Sequence, residues 1–221
     1  MGKFIVIDGL DGSGKETQCL LLKEKLTLHG KKVRLLSFPV YESDSSLFVR
    51  MYLDGKLGTH PSDTNAYTAS TFFACDRYIS YATDWKKDIT DPDTVVIANR
   101  YTSANAVHQL SKLPKDEWDA FLAWLWDFEF SKLMLPKPDA VIYLELPPSV
   151  SLSLVKKRSE ETGRKTDIHE NDTEYMKKCY DAALFSCERL GWIKIGCSEN
   201  GKMRTREDIS EEIYEKVKKL L

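Results

Sequence analysis

Gly9, Gly14 and Lys15 stand in the register G-x-x-x-x-G-K within "IDGLDGSGKETQ" (7–18). That spacing suits a loop that holds a polyphosphate with its backbone N–H groups. Glycines let the backbone approach phosphate oxygens and adopt positive φ freely. The helix that should begin beyond Gly14 adds its positive dipole end, and Lys15 adds a cation at the transferring phosphate. The next position of such loops is Ser or Thr, whose hydroxyl holds Mg²⁺. Here it is Glu16. A first-turn carboxylate gains about 0.3–1 kcal/mol from the dipole while pointing at solvent; it can equally serve as an oxygen ligand for Mg²⁺. Thr17 is no obvious replacement, because one helical residue turns a side chain by about 100°. Phe73 and Arg77 are four apart in a helical pattern and so share a face. An aromatic ring there could stack on a base while the Arg fork reads its edge, although a core Phe with a solvated Arg has the same spacing. The segment 156–174, "KKRSEETGRKTDIHENDTE", is almost wholly polar. It reads as a solvated loop or as a lid whose cations close on phosphate.

Something must hold these groups together. Five short runs, 3–8, 32–38, 94–98, 140–146 and 192–196, are β-branched or aliphatic with little polar alternation, as parallel strands covered on both faces require. Helical patterns fill 14–29, 44–55, 64–88, 103–111, 115–131, 148–158, 172–190 and 206–220, with Gly30 and Gly191 at two of their ends. The alternation predicts an α/β fold with a parallel sheet, and ligands then bind beyond the carboxyl ends of the strands. The stretch 118–130 is apolar around most of its circumference, so it should be buried on more than one side.

Composition narrows the classes. The 221 residues suffice for one domain with a full core. A net charge of −2 provides no basic field for nucleic acid. Five cysteines without C-x-x-C spacing point to reduced thiols and a cytoplasmic protein. The N-terminus has no signal-peptide layout, and no apolar run is long enough to cross a bilayer.

Beyond the loop, "SFPVY" (37–41), "FFACDR" (72–77), "ANRYTSANAVHQ" (98–109), "LPKPDAVIYLEL" (135–146) and "GRKTDIHE" (163–170) follow in an order that resembles the thymidylate kinase family. The resemblance implies a three-layer P-loop NTPase fold: a five-stranded parallel sheet flanked by helices, one domain over 1–221, with a phosphate loop at 9–17 and a short mobile lid at about 156–172. It implies ATP-dependent phosphorylation of dTMP to dTDP, with Mg²⁺, in a homodimer that binds neither nucleic acid nor membrane. A kinase for another nucleoside monophosphate or a deoxynucleoside is the alternative, and a nucleotide-binding relative without turnover is a third.

Carried over residue by residue, the family assigns ATP to Gly9, Leu10, Asp11, Gly12, Ser13, Gly14, Lys15, Glu16 and Thr17, with Arg158 in support. Asp11 should sit near the sugar 3′-OH and the metal. Gly12 stands where one branch of the family has a loop Arg; members with Gly carry their cation in the lid, here Arg164. Glu170 resembles a lid carboxylate that reaches the metal, completing Asp11 and Glu16 as metal candidates. Phe38 should border the nucleotide and Tyr41 the acceptor phosphate. Phe73 falls on thymine, Arg77 at its O4 side and Asn105 at its N3. Arg100 should clamp the acceptor phosphate, so that Lys15, Arg100, Arg164 and Asp11 form the catalytic set. His108 falls where a residue guards the sugar 2′ position, and Gln109 matches a common family Gln. The chain departs from the family at Asn99, which replaces the Asp of Asp-Arg-Tyr, and at Ala104, which replaces a common Ser. Asn99 removes one negative charge while Glu16 adds one. Three readings follow: Glu16 replaces the lost carboxylate in holding Mg²⁺, it has no metal role, or Asn99 marks a weakened enzyme.

Overall fold

The five apolar runs pair into one sheet. The computed structural model describes residues 1–152, 154, 173–199 and 201–221. β1 (Lys3–Gly9), β2 (Lys32–Ser37), β3 (Thr94–Asn99), β4 (Ala140–Glu145) and β5 (Ile193–Gly196) lie in the order β2-β3-β1-β4-β5. Every neighbouring pair is parallel. Side chains alternate across β1, so Phe4 and Val6 enter one apolar layer and Ile5 and Ile7 the other. The first layer packs the sheet against α5 (Thr102–His108), α6 (Trp118–Trp126) and α7 (Thr173–Leu190). The second packs it against α1 (Lys15–Leu28) and α8 (Arg206–Lys218). This is the expected three-layer α/β architecture. A smaller cluster of Val49, Tyr52, Leu53 and Ala69 joins α2 (Leu47–Leu53) to α3 (Ala66–Ser80).

Two long helical patterns are broken by wide turns. The 64–88 pattern becomes α3, a π turn at Tyr81–Trp85 and α4 (Lys86–Thr90). The π turn carries fully buried Trp85 into an aromatic group with Phe4, Phe38, Tyr81 and Tyr101. The 115–131 pattern becomes a short 3₁₀ turn, α6, and a π turn at Asp127–Lys132. Trp118, Phe121, Leu122, Leu125 and Phe130 are buried and Trp124 and Trp126 only partly so, while the second π turn carries Glu129 inward, fully buried. π turns of this kind occur often at functional sites. The ribbon of β6 (Ser198–Glu199) and β7 (Lys202–Met203) is too short to leave a periodic signal. Among 148–158, residues 148–152 and 154 are helical; the segment 156–172, with Arg158, Arg164 and Glu170, lies outside the described residues.

The chain crosses from one side of β1 to the other between β3 and β4. The connections leaving β1 and β3 therefore open on the same crevice, at the switch point where α/β sheets bind ligands.

Candidate active site

β1 ends at Gly9, where any side chain would collide. A Cβ there would lie 2.8 Å from the Leu144 carbonyl oxygen and 2.6 Å from Ser13 Oγ. The loop then closes on Gly14, the N-cap of α1, at φ 86°. That left-handed conformation is open to glycine at little cost. Leu10 turns its side chain into the core; only its backbone carbonyl serves the site, accepting from Lys15 Nζ at 2.9 Å. Asp8, absent from the sequence-based assignments, is buried and accepts from Gly9 N at 2.8 Å and Ser103 Oγ at 2.5 Å. It ties the start of the phosphate loop to α5. Ser151 Oγ donates to the Asp11 carbonyl from the helical turn after β4.

The second connection brings Arg100 over the loop. Arg100 adopts φ 65°, and its N–H bonds the Ile7 carbonyl at 3.0 Å. The guanidinium reaches Asp11 Oδ1 at 2.5 Å and His108 Nε2 at 2.8 Å. Asp11 also lies 3.5 Å from Lys15 Nζ. Burial would raise the Asp11 carboxyl, but Arg100 and Lys15 overcome it and hold the group well below the usual carboxylate range. Burial and the neighbouring Arg100 bring the Lys15 ammonium down to about 8, against the pull of Asp11 and Asp8.

A cavity of about 720 Å³ runs between these groups. At one end it is lined by Asp11 to Gln18 of the loop and α1, together with Met203, Arg204, Arg206 and Ile209. At the other lie Phe38, Tyr41, Phe73, Arg77, Arg100, Asn105, His108 and Gln109. All the acceptor-side residues assigned from sequence therefore meet in one cavity, as do the loop residues 11–17. Glu16 is exposed at its wall, and Asn99 and Ala104 also line it.

Two features of the acceptor end are absent from the sequence-based reading. Arg77 is not solvated but fully buried, forked onto Glu129 at 2.7 Å and 2.5 Å. Glu129 also accepts from Thr102 Oγ1 at 2.7 Å and Asn105 Nδ2 at 3.4 Å. The sequence signal was present in "WDFEF": a carboxylate inside an apolar run must find a partner when buried. Gln109 is buried, and both polar atoms of its side chain lack a hydrogen-bond partner among the described residues. At the opposite end, Arg204 and Arg206 flank Thr205, the N-cap of α8, while Gln18 Nε2 bonds the Arg206 carbonyl at 3.1 Å.

The sequence model of the family described as thymidylate kinase matches residues 7–209. The chain belongs to the thymidylate kinase family. It is 32% identical over 194 residues to thymidylate kinase of Mycobacterium tuberculosis strain H37Rv, covering 85% of this chain and 86% of that protein. It is 28% identical over 219 residues to the Plasmodium falciparum thymidylate kinase, covering 99% and 91%. The solved structure of thymidylate kinase from Candida albicans superposes with a TM-score of 0.70 at 19% identity, covering 99% of this chain and 92% of that one. That likeness supports the fold.

The Lys15 environment predicts a proton-linked binding event. A lysine lowered to about 8 loses its proton as pH rises through that value; phosphate anions beside it favour the ammonium and return the proton. ATP binding should therefore take up about half a proton at pH 8, rising toward one at higher pH. Calorimetry in buffers of different ionisation enthalpy reads this uptake, and the Lys15→Met variant should lack it. Equal uptake in both proteins would contradict the assignment.

Proposed function

We propose that this enzyme, one domain over residues 1–221 with its phosphate loop at 9–17, transfers the γ-phosphoryl group of ATP to dTMP. The observation that carries this reading is one cavity lined both by the phosphate loop and by Phe73, Arg77, Asn105 and Arg100. Gly9 to Thr17 receive the ATP phosphates, with Lys15 at the transferring group. Arg204 and Arg206 suit the outer part of ATP, because they line the end of the cavity behind the loop. Arg100 clamps the acceptor 5′-phosphate beside Tyr41. Phe73 stacks on thymine, Arg77 faces O4 and Asn105 faces N3. Phe38 and His108 border the nucleotide, and Gln109 offers an unpaired amide at the same wall. Arg158 and Arg164 as phosphate cations, and Glu170 at the metal, are proposed on sequence alone.

A phosphate acceptor is already ionised near neutrality, so no strong general base is needed. Catalysis then reduces to placing two anions in line and offsetting their charge. Asp11 provides the counter-charge for Arg100 and Lys15. When phosphates arrive they take over that partnership, which frees the Asp11 carboxylate toward the sugar and metal.

Mg²⁺ fits as a companion of ATP. Among the described residues no group of three or more His, Cys, Asp or Glu forms a ready cage. Mg²⁺ commonly needs only one or two protein carboxylates beside substrate phosphates and water; Asp11 and Glu16 would hold it, and it would supply charge neutralisation to the phosphates. If Glu16 stands in for the carboxylate lost at Asn99, Glu16→Thr and Asn99→Asp should be coupled. Their effects on Mg²⁺ affinity should depart from additivity by about 1 kcal/mol or more. Titrations of the two single variants and the double variant check this, and additive effects would remove the compensation.

We also propose a cytoplasmic homodimer. The five cysteines are unpaired and four of them are buried, which suits a reducing compartment. No helix among the described residues is long and apolar enough to cross a membrane. Leu47, Phe48, Tyr78 and Ile79 are exposed on α2 and α3, with Phe48 stacked on Phe72. Such an outward apolar group suits a second copy. Sedimentation should give about twice the 25.3 kDa chain mass, and Ile79→Glu should shift it to a monomer.

The experiment on the reaction itself is ³¹P spectroscopy of ATP, Mg²⁺ and dTMP with the enzyme. Formation of ADP and dTDP supports it, whereas ADP and free phosphate without dTDP would count against it.

A further inference from the structure

Glu129 lies beneath the proposed base-binding end, and among the described residues it accepts from three side chains. An ionised carboxylate offers about four acceptor sites. Arg77 Nε and a terminal nitrogen, Thr102 Oγ1 and Asn105 Nδ2 fill them at 2.7, 2.5, 2.7 and 3.4 Å. Among the described residues the only other partner of Asn105 Nδ2 is again an acceptor, the Ser70 carbonyl, at 3.3 Å. Two acceptors that cannot donate flank one end of the Asn105 amide. That end must be the NH₂, so the Asn105 carbonyl oxygen is the group left for the cavity. Arg77, an obligate donor, spends two N–H groups on Glu129 and a third on the Tyr101 carbonyl at 3.4 Å. Its remaining N–H groups can only donate.

We infer that Glu129 is the residue that sets base specificity, by fixing one acceptor (Asn105) beside one donor (Arg77) at the cavity wall. That pair complements a ring N–H next to a C=O, as in thymine and uracil. It opposes cytosine, which presents a bare ring nitrogen next to an NH₂. Glu129 touches no nucleotide; it is a positioning residue acting through Asn105 and Arg77. The inference rests on the reading of this end as the base site.

Glu129→Gln keeps the shape but replaces one acceptor oxygen with an NH₂. Some donors then face a donor, and the relief available to Asn105 is to turn its amide, presenting its NH₂ to the cavity. That arrangement suits cytosine. The expected result is that the ratio of kcat/KM for dTMP to that for dCMP falls by about tenfold or more, because a mispaired buried polar group is costly. The KM for ATP should change by less than about twofold, since only the acceptor end is altered. Thr102→Val removes one donor without disturbing the ion pair, and should lower the same ratio by about threefold. Equal losses for dTMP and dCMP in Glu129→Gln would overturn the inference. If that variant does not fold, an unchanged ratio in Thr102→Val overturns it and a lowered ratio supports it. Binding of N3-methyl-dTMP to the unaltered enzyme separates the two claims. If it binds as dTMP does, the base site itself is misplaced. If it binds weakly while the variant ratios stay unchanged, the Glu129 inference alone fails.

Discussion

Replacing Arg100 by Met lowers kcat/KM for dTMP by about 10²–10³-fold, on the scale of removing one partner from a buried charge pair. The effect is large because the guanidinium presents a charged planar fork that suits a phosphate in two bonds. Arg100 leaves the carboxyl end of β3 in a left-handed conformation at φ 65°, which costs a non-glycine residue about 1–2 kcal/mol. The bond from its N–H to the Ile7 carbonyl anchors that conformation to β1. The side chain is thereby held beside the phosphate loop, between Asp11 and His108, where the proposed acceptor phosphate would meet ATP in line. The KM for dTMP should rise while the KM for ATP moves little. Arg100→Lys keeps the charge but loses the planar fork, so it should recover only part of the loss. Steady-state kinetics with each substrate varied in turn reads all three effects. An Arg100→Met enzyme with normal dTMP kinetics would place the acceptor phosphate elsewhere.

Lys15→Met is the second large effect, and it falls on turnover. Lys15 is buried at the head of α1, parked on the Leu10 carbonyl and near Asp11. In the proposed reaction it is the cation at the γ-phosphoryl group as charge shifts toward the leaving oxygen. Losing one such group from a water-poor site costs about 10²–10³ in kcat. Affinity for dTMP, measured without ATP, should stay within about threefold, because the acceptor end does not use Lys15. Removing it also takes one cation from Asp11, so the Asp11 carboxyl should move up toward its ordinary range. If dTMP affinity collapsed together with kcat, Lys15 would be holding the fold of the site rather than the transferring phosphate.

The strands and the phosphate loop were legible for a simple reason. A strand buried on both faces must be a continuous apolar run, so 3–8 and 94–98 announce themselves. The loop is legible because its backbone geometry restricts residue type: a Cβ at Gly9 has nowhere to go. Long-range pairing is different. Nothing near Glu129 in the chain indicates that Arg77, 52 positions away, will fork onto it. The π turn that carries Glu129 inward is a local widening with no period of its own. The reading of 118–130 accounted for its aromatic residues and passed over Glu129, the one of its three carboxylates that is buried. Asp8 was hidden in the same way, as a polar residue at the end of an apolar strand. Arg204 and Arg206 sit beside a two-residue ribbon, where neither strand nor site leaves a repeating pattern. The acceptor residues, by contrast, came from the order of several short motifs together, and the cavity gathers all of them.

The most direct measurement is a comparison of acceptors at saturating ATP and Mg²⁺: dTMP, dUMP, dCMP, dGMP and thymidine, each followed by ADP formation and product identity. The account predicts that kcat/KM is highest for dTMP, lower for dUMP, lower by orders of magnitude for dCMP and dGMP, and negligible for thymidine, which has no phosphate for Arg100. Preferred turnover of thymidine or dCMP, or ATP binding with no acceptor turned over, would contradict it.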